Sequence, residues 1–215
     1  MRMGRWIGLV GAVVFLVGFV LLSAIPGGGD VDAADFEDFY VNDERTDIAL
    51  PAMYLLTLGA LGMSWFLYEL RETIGTTLAR FGGAAALTGL AMFVVGAGAL
   101  AGPSGVQEFG DEAFVGADVA HALAQAGWGI ALVGGALFVG AGIGALCMAG
   151  RSSGHLVAWV AIAGLVVAVL QLGGVIWLPA LLIPVWVAVT AAAGVRHGDR
   201  PAPQHEATAG RPGRS

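Results

Sequence analysis

Asp118, His121 and Gln125 follow one another at intervals of three and four residues, which places them on one stripe of a helix. A carboxylate beside an imidazole in a partly desolvated place could relay a proton or sense pH. The same groups could equally hydrogen-bond loop backbone at a membrane surface, as polar helix ends do, and that role is the one expected. His121 and His155 fall on opposite membrane faces in the reading below, so they could not ligate one haem. His197 and His205 lie in the C-terminal tail.

Carboxylates are the other chemistry-bearing set. Asp30, Asp32, Asp35, Glu37, Asp38, Asp43, Glu44 and Asp47 form one group, and Glu108, Asp111, Glu112 and Asp118 a second. These are ligands for a hard cation. Their order nonetheless lacks the glycine and the terminal Glu of a calcium loop, so a solvated acidic surface is expected and no metal site. Cys147 is the only cysteine. It excludes an intramolecular disulfide and reads as a small apolar filler. No nucleophile and base stand at catalytic spacing. We therefore expect no catalytic residue, no cofactor and no enzyme.

Two further polar features belong to one apolar stretch. Gln171 lies near its middle and is expected to satisfy a turn. Pro184, two residues before Trp186, removes a backbone donor and should kink its helix. Such a kink can line a substrate path; a packing role is the simpler expectation. No ionisable residue falls at the predicted midplane of any helix, which counts against ion-coupled transport.

The elements that must position these groups are transmembrane helices. The chain has 215 residues, a mean hydropathy of +0.80 and 12% charged residues. Soluble domains run near 25% charged, and a water-soluble fold this apolar would expose large greasy patches. A membrane span takes about 20 apolar residues. The expected architecture is all-α, a polytopic transmembrane bundle of about six helices near 6–25, 50–70, 81–101, 119–149, 155–172 and 175–195. These form one domain, 1–195. Helix 119–149 is overlong, hence tilted or wet at its start. The last two come from an uncharged run twice the bilayer thickness, folded at Gln171, Gly173 and Gly174. The tail 196–215 cannot bury a core and is expected to be disordered and cytoplasmic.

Orientation follows from arginine. With the N-terminus inside, Arg2, Arg5, Arg71, Arg80, Arg151, Arg196, Arg200, Arg211 and Arg214 are all cytoplasmic and only Arg45 is outside. Both termini are thus expected inside, and both acidic groups outside. Core length argues for a retained first helix over a cleaved signal peptide. Pro51 is placed in the first turn of its helix, where proline is tolerated.

The 35 glycines sit inside apolar runs, where they let helix backbones approach closely. Gly127, Ala131 and Gly135 recur every four residues, followed by Gly140 and Gly144. Gly4 and Gly8, and Gly98 and Gly102, are read the same way. Most such contacts are expected within the bundle, the rest with a membrane-protein partner or a second copy. Trp6, Trp65, Tyr68, Trp159 and Trp177 read as interfacial belts. Phe36, Phe39 and Tyr40 would share one face of a short interfacial helix. The pattern from Asp35 to Val41 has a faint echo in Glu108 to Val115, a possible hairpin repeat for which chance is the simpler explanation.

Phe39-Tyr40-Val41-Asn42-Asp43-Glu44-Arg45-Thr46, Tyr54-Leu55-Leu56, Trp65-Phe66-Leu67-Tyr68-Glu69-Leu70-Arg71 and Arg80-Phe81-Gly82-Gly83 stand in an order that resembles a family of six-helix integral membrane proteins of GC-rich bacteria, classed as a domain of unknown function. The absence of Lys agrees with such a genome. The resemblance covers most of residues 6–195 and implies a six-helix bundle without implying an activity. The expectation is a non-enzymatic accessory or interaction module in a bacterial plasma membrane. It would contact lipid and a protein partner or itself, and no nucleic acid. The competing expectation is a small transporter or channel for an apolar or cationic solute.

Overall fold

A computed structural model of the chain describes residues 2–26, 33–41, 43–110, 116–173 and 177–195. The tail, the second acidic loop from Asp111 to Val115, Asp30, Asp32 and Gly174 lie outside the described residues. Every element among the described residues is helical, apart from an isolated antiparallel bridge between Leu156 and Val195. The α-helices are α1 (Arg2–Leu22), α2 (Ala33–Val41), α3 (Asp43–Ile74), α4 (Thr77–Phe109), α5 (Ala117–Trp128), α6 (Ala136–Ser152), α7 (Ala158–Leu170), α8 (Trp177–Ala180) and α9 (Leu182–Val189). A π-helical segment, Gly129–Gly135, joins α5 to α6, and a second, Thr190–Gly194, follows α9.

Four helices are long and apolar enough to cross a membrane: Met3–Leu22, Asp47–Ile74, Thr77–Phe109 and the continuous Ala117–Ser152. Ala158–Leu170 and Leu178–Ala193 are apolar but shorter.

Several bounds differ from those read from hydropathy, for local reasons. The helix expected from residue 50 begins at Asp43. Pro51 consequently lies inside α3 instead of in its first turn, and the Asp47 carbonyl loses its helical donor. Helix α4 likewise runs on through Pro103 to Phe109. The helix expected from residue 155 starts at Ala158, since Val157 is extended and Leu156 is held by the bridge to Val195. The last apolar segment breaks at Leu181, one turn before Pro184, where the proline ring excludes the carbonyl of Ala180 from the ladder. Between α3 and α4 the chain reverses in two residues. Gly75 takes φ 71°, and Thr76 caps α4 by accepting the Ala79 N–H at 3.2 Å.

The helices close a ring. Helix α1 packs on α3, α3 on α4, α4 on α5 and α6, α6 on α7, α7 on α9, and α9 back on α1. Two seams within it are tight enough to bring backbones together. Along α1 and α3, a methyl group on Gly11 would stand 2.8 Å from the Gly62 backbone. Along α4 and the span Ala117–Ser152, methyls on Gly82, Gly89 and Gly96 would stand 2.8, 2.6 and 2.6 Å from the carbonyls of Gly142, Gly135 and Gly127. In lipid, burial of apolar surface does not drive helices together, so this closeness is what dispersion and weak Cα–H···O contacts require. Outward-facing positions are apolar, as Val10, Val13, Val17 and Val20 of α1 illustrate.

Candidate functional site

The centre of the ring is filled with aromatic rings. Phe15 and Phe19 of α1 meet Phe93 of α4 at 5.6 and 6.1 Å between centroids, both edge to face. Trp128, the last residue of α5, closes on Phe19 at 6.2 Å in the same manner. The cavity left among Phe19, Phe93, Leu56, Trp128 and Ala131 measures about 10 Å³. That is about the space a single water takes. The Trp128 indole N–H is buried here without a partner.

The three residues of the expected polar stripe all lie on α5. His121 and Gln125 stand 3.4 Å apart between their Nε2 atoms, with Gln125 exposed and His121 half-buried. Asp118 is exposed in the first turn of α5. His155 reaches Ser153 Oγ at 2.9 Å, one loop from the other end of the bundle. Pro184 is buried in protein.

The small-residue positions divide between two neighbours. Gly127, Ala131 and Gly135 face α4, whereas Gly140 faces Gln171 and Gly144 faces Ala168 on the α7 side. Gly98 has nothing within 4 Å and Gly102 touches only Leu123, so that pair makes no close seam. The working glycines of α4 are Gly82, Gly89 and Gly96. Their spacing of seven was visible in the sequence, but a search for spacing of four passes over it. Cys147 is buried where α6 meets Gly164 of α7 and Trp186 of α9, a packing position. The Trp186 indole donates to the Val160 carbonyl at 3.2 Å, and Gln171 is fully buried with its amide donating to Pro179 O at 2.7 Å.

Polar chemistry therefore gathers at the two ends. At the end bearing the start of α1, Arg5 donates through Nε to Ala191 O at 2.6 Å and through a terminal nitrogen to Ala192 O at 2.7 Å. These are carbonyls of the final π-helical turn, where a cation also meets the negative end of the helix. Arg71 lies over the Tyr68 ring at 4.3 Å and 3.3 Å from Glu72.

At the opposite end α2 lies across the bundle. Phe39 and Tyr40 are both buried, and their rings meet edge to face at 5.0 Å. Tyr40 donates its hydroxyl to Leu100 O at 2.7 Å, and its own carbonyl accepts from Gln107 Nε2 at 3.0 Å. Burial pushes the Tyr40 phenol well above its usual pKa. Beside this contact a cleft of about 340 Å³ opens between α3 and α4, with Asp47 on one helix and Glu108 on the other. Ser104 lines it, 1% exposed, with its hydroxyl unpartnered. The residue types gave no motif here; the cleft exists because α3 and α4 both overrun their apolar spans. Among the described residues, no three His, Cys, Asp or Glu side chains gather as a metal site.

Comparisons with family models, with curated proteins and with solved structures find no match.

Proposed function

We propose that the chain is a six-pass protein of a bacterial plasma membrane, with both termini cytoplasmic, that works without catalysis as an accessory or interaction module. The observation that carries this reading is the aromatic closure of Phe15, Phe19, Phe93 and Trp128. With the centre packed by aromatic rings, the polar side chains that could recognise a partner lie at the ends, and the α2 end is acidic. Gly127, Ala131, Gly135, Gly140 and Gly144 meet neighbours within the chain, which favours the acidic end as the recognition face. Arg5 on Ala191 and Ala192, together with the Leu156–Val195 bridge, supports six passes by joining the start of the first helix to the end of the last. The arginine distribution supports their cytoplasmic side.

The test is purification in mild detergent with mass spectrometry and light scattering. A defined protein that co-purifies, and is lost in the Asp35→Asn, Asp38→Asn double variant, is expected. A lone monomer or homo-oligomer would overturn the reading. Sidedness is read in a Cys147→Ser background: an impermeant maleimide should label Phe109→Cys in intact cells and Ser153→Cys only after permeabilisation. The second reading, a transporter or channel for a cationic solute, draws on the cleft between Asp47 and Glu108 and would be carried by cation flux in liposomes.

A further inference from the structure

We infer that the cleft between the first turns of α3 and the last turns of α4 is a binding site for a primary organic ammonium. Its walls carry two carboxylates, Asp47 and Glu108, contributed by different helices, and no basic residue lines it among the described residues. Two acids on a surface would be ordinary solvated groups. The Ser104 hydroxyl makes this place different. It is buried at the floor of the cleft and has no hydrogen-bond partner, which is costly for a polar group away from water.

An ammonium head offers three N–H donors. One can go to Ser104 Oγ and the others to the carboxylates, so that the unpartnered hydroxyl and the two negative charges are answered together. That requirement for N–H donors selects a primary amine over a quaternary one. A divalent metal fits poorly, because hard cations take six or more oxygens and no third acidic or histidine ligand is gathered here among the described residues. Apart from Gln107, whose amide donates to Tyr40 O, the remaining wall is apolar and aromatic, with Tyr54 and Phe109 available to a hydrocarbon or aryl tail. The volume of about 340 Å³ lies at the lower end of the range for small-molecule sites. The ligand class is thus a small primary alkyl- or arylalkyl-ammonium. The site stands apart from the interaction reading and holds whether or not a partner protein exists.

The experiment is calorimetric titration of the full chain in phosphatidylcholine nanodiscs with 2-phenylethylammonium, beside 2-phenylethanol as the neutral analogue and N,N,N-trimethyl-2-phenylethylammonium as the quaternary one. Saturable binding of the primary amine at one site is expected. Ser104→Ala should weaken it about tenfold, the worth of one charge-assisted hydrogen bond. The Asp47→Asn, Glu108→Gln pair should abolish it, and the quaternary analogue should bind more weakly. Glu108→Gln alone, an exposed change near the end of α4, serves if the pair is not monodisperse. Equal uptake of the alcohol, which reports partition into the bilayer, would overturn the assignment, as would unchanged affinity in Ser104→Ala or in the carboxylate variants. Co-purification of a partner without ammonium binding would remove the cleft and leave the interaction reading standing.

Discussion

The two glycine seams solve one packing problem in different ways. Along α1 and α3 the contacts pair Gly8 with Phe66, Gly11 with Gly62, Phe15 with Gly59 and Gly18 with Leu56, stepping by three and four residues on each helix. That is the 3.5-residue repeat of a left-handed antiparallel pair, and both helices keep ordinary α geometry. Along the second seam Gly82, Gly89 and Gly96 are spaced by seven on α4, but their partners Gly142, Gly135 and Gly127 are spaced by seven and then eight. In an unbroken α-helix the eighth residue would carry Gly127 about 100° round the axis, away from α4. The π-helical segment Gly129–Gly135 takes up that extra residue, and the glycines face one another again. A register that the first seam writes directly into its sequence is recovered in the second by local backbone geometry.

Breaking the second seam should have the largest effect. Gly89→Leu would drive a side chain into the Gly135 carbonyl and the Val139 backbone. A loss of about 3 kcal/mol or more is expected, read as loss of a monodisperse peak on heated size-exclusion chromatography. Gly98→Leu, which meets open space, should behave as wild type in the same assay. Deletion sharpens the point. Removing Ile130 from the π segment should leave an α-helix with the seam in register and most of the thermal stability intact. Removing Phe138 from α6 should carry Gly142 about 100° round the axis from Gly82 and abolish folding. Equal damage from the two deletions would show that the π segment does more than absorb a residue.

The next effects lie at the ends. Arg5→Gln gives up charge-assisted bonds to Ala191 and Ala192 at a partly wet site. Roughly 2 kcal/mol is expected, seen as faster hydrogen exchange confined to residues near Ala191. At the other end Tyr40→Phe should cost about 1 kcal/mol by removing the hydroxyl's bond to Leu100 O. The pH dependence has a definite sign. The folded phenol is held above the unfolded value of 10.0, so its contribution is full below that pH. It is lost as pH rises beyond it, because only the unfolded chain ionises readily there. Titration of the tyrosinate band should show α2 undocking above about pH 10, and Tyr40→Phe should remove that step. The smallest effect belongs to Asp118→Asn, an exposed change expected to fall within about 0.5 kcal/mol in thermal melts.

Much of this was readable without coordinates. The acids at Asp47 and Glu108 and the small residues of α5 and α6 were visible, but the relations among them were not. Neither the cap of Arg5 on Ala191 and Ala192, far apart in the chain, nor the meeting of Ser104 with Asp47 leaves a local periodicity to read. The expected stripe at Asp118, His121 and Gln125 was a correct statement of helical spacing. Spacing alone does not say whether side chains sharing a stripe bond to one another.

The sequence by itself determined an all-helical chain with helices apolar enough to cross a membrane, because hydrophobic length and charge distribution are properties of segments and need no knowledge of neighbours. Only the tertiary structure decided which glycines face which, that the centre is shut by aromatic rings, and that α3 and α4 overrun their apolar spans to frame an acidic cleft. Those outcomes depend on distances between residues remote in the chain, which are fixed by packing and by one residue taken up in a π turn.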